Sequence, residues 1–186
     1  MVVTAPTTAG DYTLETLAYD QGGDMYPQAT LVNVKVTGAM APALPPLTEG
    51  LAPDDGLTSP DAVVAQTRQF VFTEDDDSNQ FFINGKQFDM NRIDALPKLG
   101  TIEEWTVINN TSEQHPFHIH INDFKVLSIN GVPYQANGEQ DTVVMPPGGQ
   151  AVIRMAFLDF TGKFVFHCHI LAHEDGGMMA VVDVVP

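Results

Sequence analysis

All six histidines of this 186-residue chain lie between His115 and His173, three in HPFHIH (His115, His118, His120) and three in HCHILAH (His167, His169, His173). Histidines that only fill hydrogen bonds in a core scatter along a chain, so two tight clusters with none elsewhere point to metal ligation. The one cysteine, Cys168, stands between two of them. Successive side chains of a strand leave on opposite faces, so His167 and His169 share one face and Cys168 takes the other. One strand can therefore serve two centres. On the sulfur face, His173, a thioether from Met178 or Met179, and His115 from the other cluster can complete a set of two His, one Cys and a weak axial Met. That is the donor set of a blue-copper electron-transfer site. On the opposite face His118, His120, His167 and His169 form two His-x-His pairs, imidazole-only ligation that suits copper, zinc or iron. A structural zinc site would use several cysteines, and a catalytic one has no use for a second pair or for a thiol in its middle. A Cys168 nucleophile would leave four histidines without a task.

Such side chains need strands to hold them. Residues 12–19 (YTLETLAY) and 29–36 (ATLVNVKV) alternate apolar and polar side chains, the mark of half-buried strands. Residues 38–66 are crowded with Pro, Ala, Gly and Asp and read as a linker. From residue 67 the strand signals return in TRQFVFTE, NQFFINGKQF, TIEEWTVINN, DFKVLSINGVPY, GQAVIRMAFLD, KFVFHCH and MMAVVDVV, with turns at Asn84-Gly85 and Asn130-Gly131. About seven short strands at this spacing predict an all-β Greek-key sandwich or barrel, with one helical turn at 170–173. The chain thus opens inside one domain, residues 1–37, and crosses to a second at 67–186. With 24 acidic against 8 basic residues the net charge is -16, which repels a nucleic-acid backbone or an anionic membrane, and no basic patch offsets it. No apolar run approaches the roughly 18 residues of a membrane span, and MVVTAPTTAG lacks the parts of a secretory signal.

HPFHIH followed by HCHILAHEDGGMM resembles the two C-terminal copper motifs of the multicopper oxidases, the laccase and copper-efflux oxidase family, whose forms are H-P-x-H-x-H and H-C-H-x-x-x-H-x-x-x-x-M. The resemblance extends through WTVINNTSEQ, DTVVMPPGGQAVIRMAF and DFTGKFVFHCH to cover residues 67–186, and residues 12–36 are similar to the closing strands of a preceding cupredoxin domain. It implies a cupredoxin-like Greek-key fold. It also implies that His115, Cys168 and His173 bind a type 1 copper with Met178 axial, His118 a type 2 copper, and His120, His167 and His169 a type 3 pair. His173 would be the point where electrons enter, and Glu174 resembles the acid that relays protons to bound dioxygen in bacterial members. Asp141 in the DTV segment is a weaker functional carboxylate. Met179 matches no ligand, and Phe117, Trp105 and Phe166 read as core.

The departure from the family carries as much meaning. A complete trinuclear copper cluster takes four His-x-His pairs, and this chain has two with every histidine already assigned. The chain is therefore expected to be the C-terminal part of a larger oxidase, or to pair with a separate N-terminal chain that carries the other two. The resemblance implies one-electron oxidation of a small reductant and reduction of dioxygen to water, in a periplasmic or extracellular setting. A Met axial ligand predicts a modest potential. The linker holds only Met40, with no methionine-rich segment to recruit cuprous ions, so phenols or aromatic amines are the expected reductants and cuprous or ferrous ions the alternative. A stand-alone blue-copper carrier would leave both His-x-His pairs idle, and an oligomeric copper reductase of the nitrite-reducing kind needs fewer histidines.

Overall fold

The computed structural model describes residues 6–38, 56–57, 59, 61–75, 77–135 and 138–186. The chain divides into two compact units, Met1–Leu51 and Ala52–Pro186. In the first, β1 (Gly10–Glu15) pairs antiparallel with β4 (Thr30–Val36), from Gly10 opposite Val36 to Glu15 opposite Thr30. The strand expected over 12–19 ends early, because the ladder slips between Leu14 and Glu15. A second short ladder then forms between β2 (Tyr19–Asp20) and β3 (Met25–Tyr26). Its bend passes through Gly22 at φ 108°, whose N–H donates to the Asp20 carboxylate. Leu31, Val32 and Val34 of β4 are exposed.

Among the described residues, the second unit has ten strands and one short helix. They are β5 (Val64–Asp75), β6 (Gln80–Ile83), β7 (Thr101–Asn109), β8 (His115–Ile119), β9 (Lys125–Ile129), β10 (Val132–Pro133), β11 (Thr142–Met145), β12 (Gln150–Phe157), β13 (Gly162–Cys168), α1 (Leu171–Asp175) and β14 (Met179–Val184). One sheet runs β10-β9-β12-β7-β5-β6 and the other β11-β8-β13-β14. All pairs are antiparallel except β5 with β7. The Asn84-Gly85 and Asn130-Gly131 turns have positive φ at both residues, the mirror-image turn whose twist suits a two-residue hairpin. Among the described residues no helix is long and apolar enough to cross a membrane.

Two strands of the second unit fall outside the expected set, and each has a reason. Proline inside HPFHI argues against a central strand, yet β8 is paired on both sides. It can be because the ladder to β13 closes at Phe117 opposite Cys168, and Pro116 then contributes only its carbonyl, which accepts the His169 N–H at 2.8 Å. β11 is too short for its alternation to stand out. The linker boundary also needs correction: β5 begins at Val64, inside the stretch expected to be linker, where β7 offers it a parallel partner at Ile102. Leu57 in the same stretch is buried, and its carbonyl accepts Arg154 Nη1 at 2.7 Å. Of the remainder, residues 39–55, 58 and 60, with Met40, lie outside the described residues.

Period-two burial closes the space between the sheets. Trp105, Val107, Ile153, Met155, Phe117, Ile119 and Phe166 all point inward and are essentially inaccessible. Phe70, Trp105 and Phe166 form one aromatic knot, with ring centroids 4.6 to 5.5 Å apart. The same inward rule buries Glu103 on β7. Its charge is matched by a two-pronged Arg68 contact at 2.7 and 2.8 Å and by the Trp105 indole N–H at 2.7 Å. Alternation on β8 and β13 thus decides which histidines enter the core and which face away from it.

Candidate metal centres

On the inward side, β8 begins with His115, β13 ends with Cys168, and α1 carries His173; all three are buried. Cys168 Sγ lies 3.5 Å from His115 Nδ1 and 3.7 Å from His173 Nδ1, and the two nitrogens are 3.1 Å apart. A point equidistant from the three atoms is about 2 Å from each, the length of a metal bond to imidazole nitrogen or, slightly longer, thiolate. Met178 is tied to this corner through its main chain. Its N–H donates to the His173 carbonyl at 2.9 Å, its carbonyl accepts the Cys168 N–H at 3.1 Å, and its side chain is fully buried. Gly176 and Gly177 make the reversal from α1 to β14 possible: Gly177 has φ 112°, and a Cβ on Gly176 would lie 2.5 Å from the Phe81 ring. That ring stacks on His173 at 4.2 Å between centroids.

Burial sets the protonation of this corner. It pushes His115 down to about 3, with His173 adding repulsion, so His115 is a neutral ring. It pushes the Cys168 thiol up to about 12, with the carboxylates of Glu113, Glu174 and Glu74 acting the same way against a backbone hydrogen bond from Ile170. A metal ion that takes the thiolate must therefore displace a proton.

The opposite side of the same strands holds the other four histidines. His118 of β8 stands directly across from His167 of β13, and its ring centroid lies 5.0 to 5.2 Å from those of His120, His167 and His169. His120 Nε2 and His167 Nε2 approach to 3.1 Å, and donor atoms of His118, His120 and His167 all fall within 4.8 Å of one another. His169 completes the fan, 5.6 Å from His167 between centroids. The rings are also oriented. The Thr142 hydroxyl donates to the Asp141 carboxylate, so both it and the Asp141 carbonyl accept from His118 Nδ1 at 3.0 Å, which leaves His118 Nε2 bare. His167 Nδ1 likewise donates to the Cys168 carbonyl at 2.9 Å, with the Glu174 carboxylate 3.3 Å away. His120 is held below the ordinary histidine range by burial and by the neighbouring His118 and His167.

The sequence names every one of these histidines as a candidate ligand but gives little sign of what surrounds the sulfur corner. Glu113 Oε1 is 3.2 Å from His173 Nε2 and 3.8 Å from His115 Nε2, Glu74 Oε2 is 3.4 Å from His115 Nε2, and Thr111 Oγ1 is 2.9 Å from it. The one signal was Glu113 two places before His115 in NNTSEQH, where a loop glutamate reads as solvated. Glu74 and Phe81 come from the other sheet and carried no signal. His173 itself is 4% exposed, so its outer edge faces Glu113 rather than open water.

Residues 61–186 match the multicopper oxidase family. A multicopper oxidase of Staphylococcus haemolyticus is 45% identical over 108 residues, 55% of this chain and 24% of that protein. Among solved structures, a multicopper oxidase from Campylobacter jejuni described as a metallo-oxidase superposes with a TM-score of 0.72 at 30% identity. The match covers 97% of this chain and 42% of that one. A laccase-like enzyme from the lignin-degrading Ochrobactrum sp., with oxidase activity towards lignin model compounds and lignosulfonate, matches at a TM-score of 0.66 and 30% identity. Here the coverage is 95% of this chain and 42% of that one. The chain therefore spans less than half the length of each of these relatives. With its cupredoxin-like all-β fold, a corner where two imidazole nitrogens and one sulfur converge, and an imidazole fan on the reverse face, the chain belongs to the multicopper oxidase family.

Proposed function

We propose that this chain is the C-terminal part of a laccase-like oxidase that takes single electrons from phenols or aromatic amines and reduces dioxygen to water. Residues 1–37 are then the closing strands of a preceding cupredoxin domain. An N-terminal domain or chain supplies two further His-x-His pairs, in a periplasmic or extracellular setting. The observation that carries this reading is the placement of two imidazole-rich sites on opposite faces of one strand. Cys168 is bonded through the main chain to both His167 and His169, so the two sites share the shortest covalent connection a protein can offer.

In this reading His115, Cys168, His173 and Met178 would hold the type 1 copper, His118 the type 2 copper, and His120, His167 and His169 the type 3 pair. Bound there, copper supplies the one-electron chemistry and the site of dioxygen reduction. The protein's part is to exclude water from the sulfur corner, to present bare ring nitrogens, and to move protons. Burial of Cys168, His115 and Met178 does the first. The donations from His118 Nδ1 and His167 Nδ1 to fixed oxygens do the second. Glu174 would pass protons from solvent to the imidazole face, a role supported by its partial exposure and its carboxylate 3.3 Å from His167 Nδ1.

A second reading, oxidation of cuprous or ferrous ions, is favoured by Glu74 and Glu113 beside the outer nitrogens of His115 and His173 and by the relative described as a metallo-oxidase. Oxygen uptake by this chain combined with a polypeptide bearing the two missing pairs decides between them. Uptake driven by a phenol and not by cuprous ion supports the first reading. The reverse supports the second, and full turnover by this chain alone would overturn the ligand count behind both.

A further inference from the structure

Beyond the ligands, we infer that Glu113 is the positioning residue of the sulfur corner: its carboxylate holds the outer Nε2 edge of His173, so that the His173 Nδ1 lone pair faces Cys168 Sγ, and with Glu74 it sets negative charge beside His115 Nε2, the ring that Thr111 orients. The inference rests on the copper reading above and deepens it.

The loop between β7 and β8 carries the groups that orient the two rings. Asn109 is buried at the end of β7, and its side-chain N–H groups donate to the carbonyls of Glu113 and Pro146 at 2.7 and 3.0 Å. Asn109 Oδ1 accepts the Thr111 hydroxyl at 2.7 Å. A hydroxyl has one hydrogen to give. With that hydrogen committed to Asn109, Thr111 Oγ1 can only accept from His115 Nε2, 2.9 Å away. His115 thus carries its proton on Nε2 and leaves Nδ1 bare, the tautomer a metal ligand through Nδ1 requires. For His173 no hydroxyl plays this part. Its Nε2 meets Glu113 Oε1 at 3.2 Å, and a carboxylate is an acceptor only, so the same tautomer follows. The same oxygen stands 3.8 Å from His115 Nε2, and Glu74 Oε2 stands 3.4 Å from it on the other side. Glu113 is 7% exposed, and Phe81 stacked on His173 leaves that ring little freedom to turn away.

Negative charge on the outer edge of both ligand rings also favours the more positive oxidation state of an ion held at the inner edge. Glu113 therefore lowers the reduction potential of the centre as well as orienting it.

The test loads the full chain with copper and equilibrates it with a one-electron mediator, reading the blue thiolate-to-copper absorption. Glu113→Gln keeps the volume and an acceptor oxygen while removing the charge. The blue band should persist, and the ratio of reduced to oxidised copper at fixed mediator potential should rise about tenfold. Glu113→Asp keeps the charge and should fall between Gln and the parent. An unchanged ratio in Glu113→Gln, or an equal shift in Gln and Asp, overturns the inference. Should Glu113→Gln not fold, Glu113→Asp and Glu74→Gln carry the test: each should raise the ratio by less, and no change in either overturns it. A parent chain that takes up copper without turning blue would instead sink the copper reading on which the inference rests.

Discussion

Histidines of β8 and β13 point to both faces of one sheet, and the two faces could hardly differ more in their surroundings. On the inward face His115, Cys168 and His173 are buried, and their donor atoms converge within bonding reach of a single point. On the outward face only His167 is buried; His118 is part-exposed and His120 and His169 are exposed, with rings in a looser fan. The inward site is completed by the chain itself, because β6, α1 and the loop before β8 close over it. The outward site offers four imidazoles, with Asp141 and Thr142 at the edge of His118 and the Glu174 carboxylate beside His167. An enclosed site fixes geometry and excludes water before any ion arrives. An open one waits for ligands from elsewhere, and its metal affinity depends on that completion.

The sharpest way to break this comparison is to remove the sulfur. Cys168→Ser should abolish the blue absorption of the copper-loaded chain while copper bound at the imidazole face remains, as read by optical spectra beside total copper content. Loss of both together would mean the faces are not independent. His169→Ala should do the converse. Combined with the proposed polypeptide bearing two further His-x-His pairs, that variant should lose oxygen uptake and keep the blue colour, since His169 lies on the face away from Cys168.

Proton linkage sharpens the contrast for the copper-free chain. Folded His115 sits near 3 against 6.5 unfolded, so the unfolded chain binds a proton that the buried ring refuses. Stability should then fall as pH drops from about 6.5 towards 3, by up to about 1.4 kcal/mol per pH unit from this group. Cys168 works at the other end. The unfolded thiol ionises from 9.0 and the folded one near 12, so stability falls as pH rises through that window. Urea unfolding across pH reads both limbs, and loading with copper should remove the alkaline one. Smaller still, Gly176→Ala drives a methyl against Phe81 and should cost about 1–3 kcal/mol in urea unfolding, with a shifted blue band because that ring packs on His173. Met178→Leu conserves volume and should cost less than about 1.5 kcal/mol. It should keep the colour and raise the potential in a mediator titration.

What the sequence determined by itself was local. Donor types and their spacing follow directly from HPFHIH and HCHILAH, and the alternation of a strand is a property of the backbone, so the opposition of Cys168 to His167 and His169 needed no fold. The turns at Asn84-Gly85 and Asn130-Gly131, the helical turn after His169 and the core roles of Phe117, Trp105 and Phe166 were legible for the same reason. What the tertiary structure decided was everything that depends on segments distant in the chain. Two flanking strands made β8 a strand despite Pro116, and β7 drew Val64 of the apparent linker into a parallel pair. Glu113, Thr111, Glu74 and Phe81 became the surroundings of the sulfur corner only because folding buried them against its rings. A glutamate in a loop carries no mark of burial in its sequence. Its meaning comes from the low-dielectric, sterically closed space that only the packed sheets create.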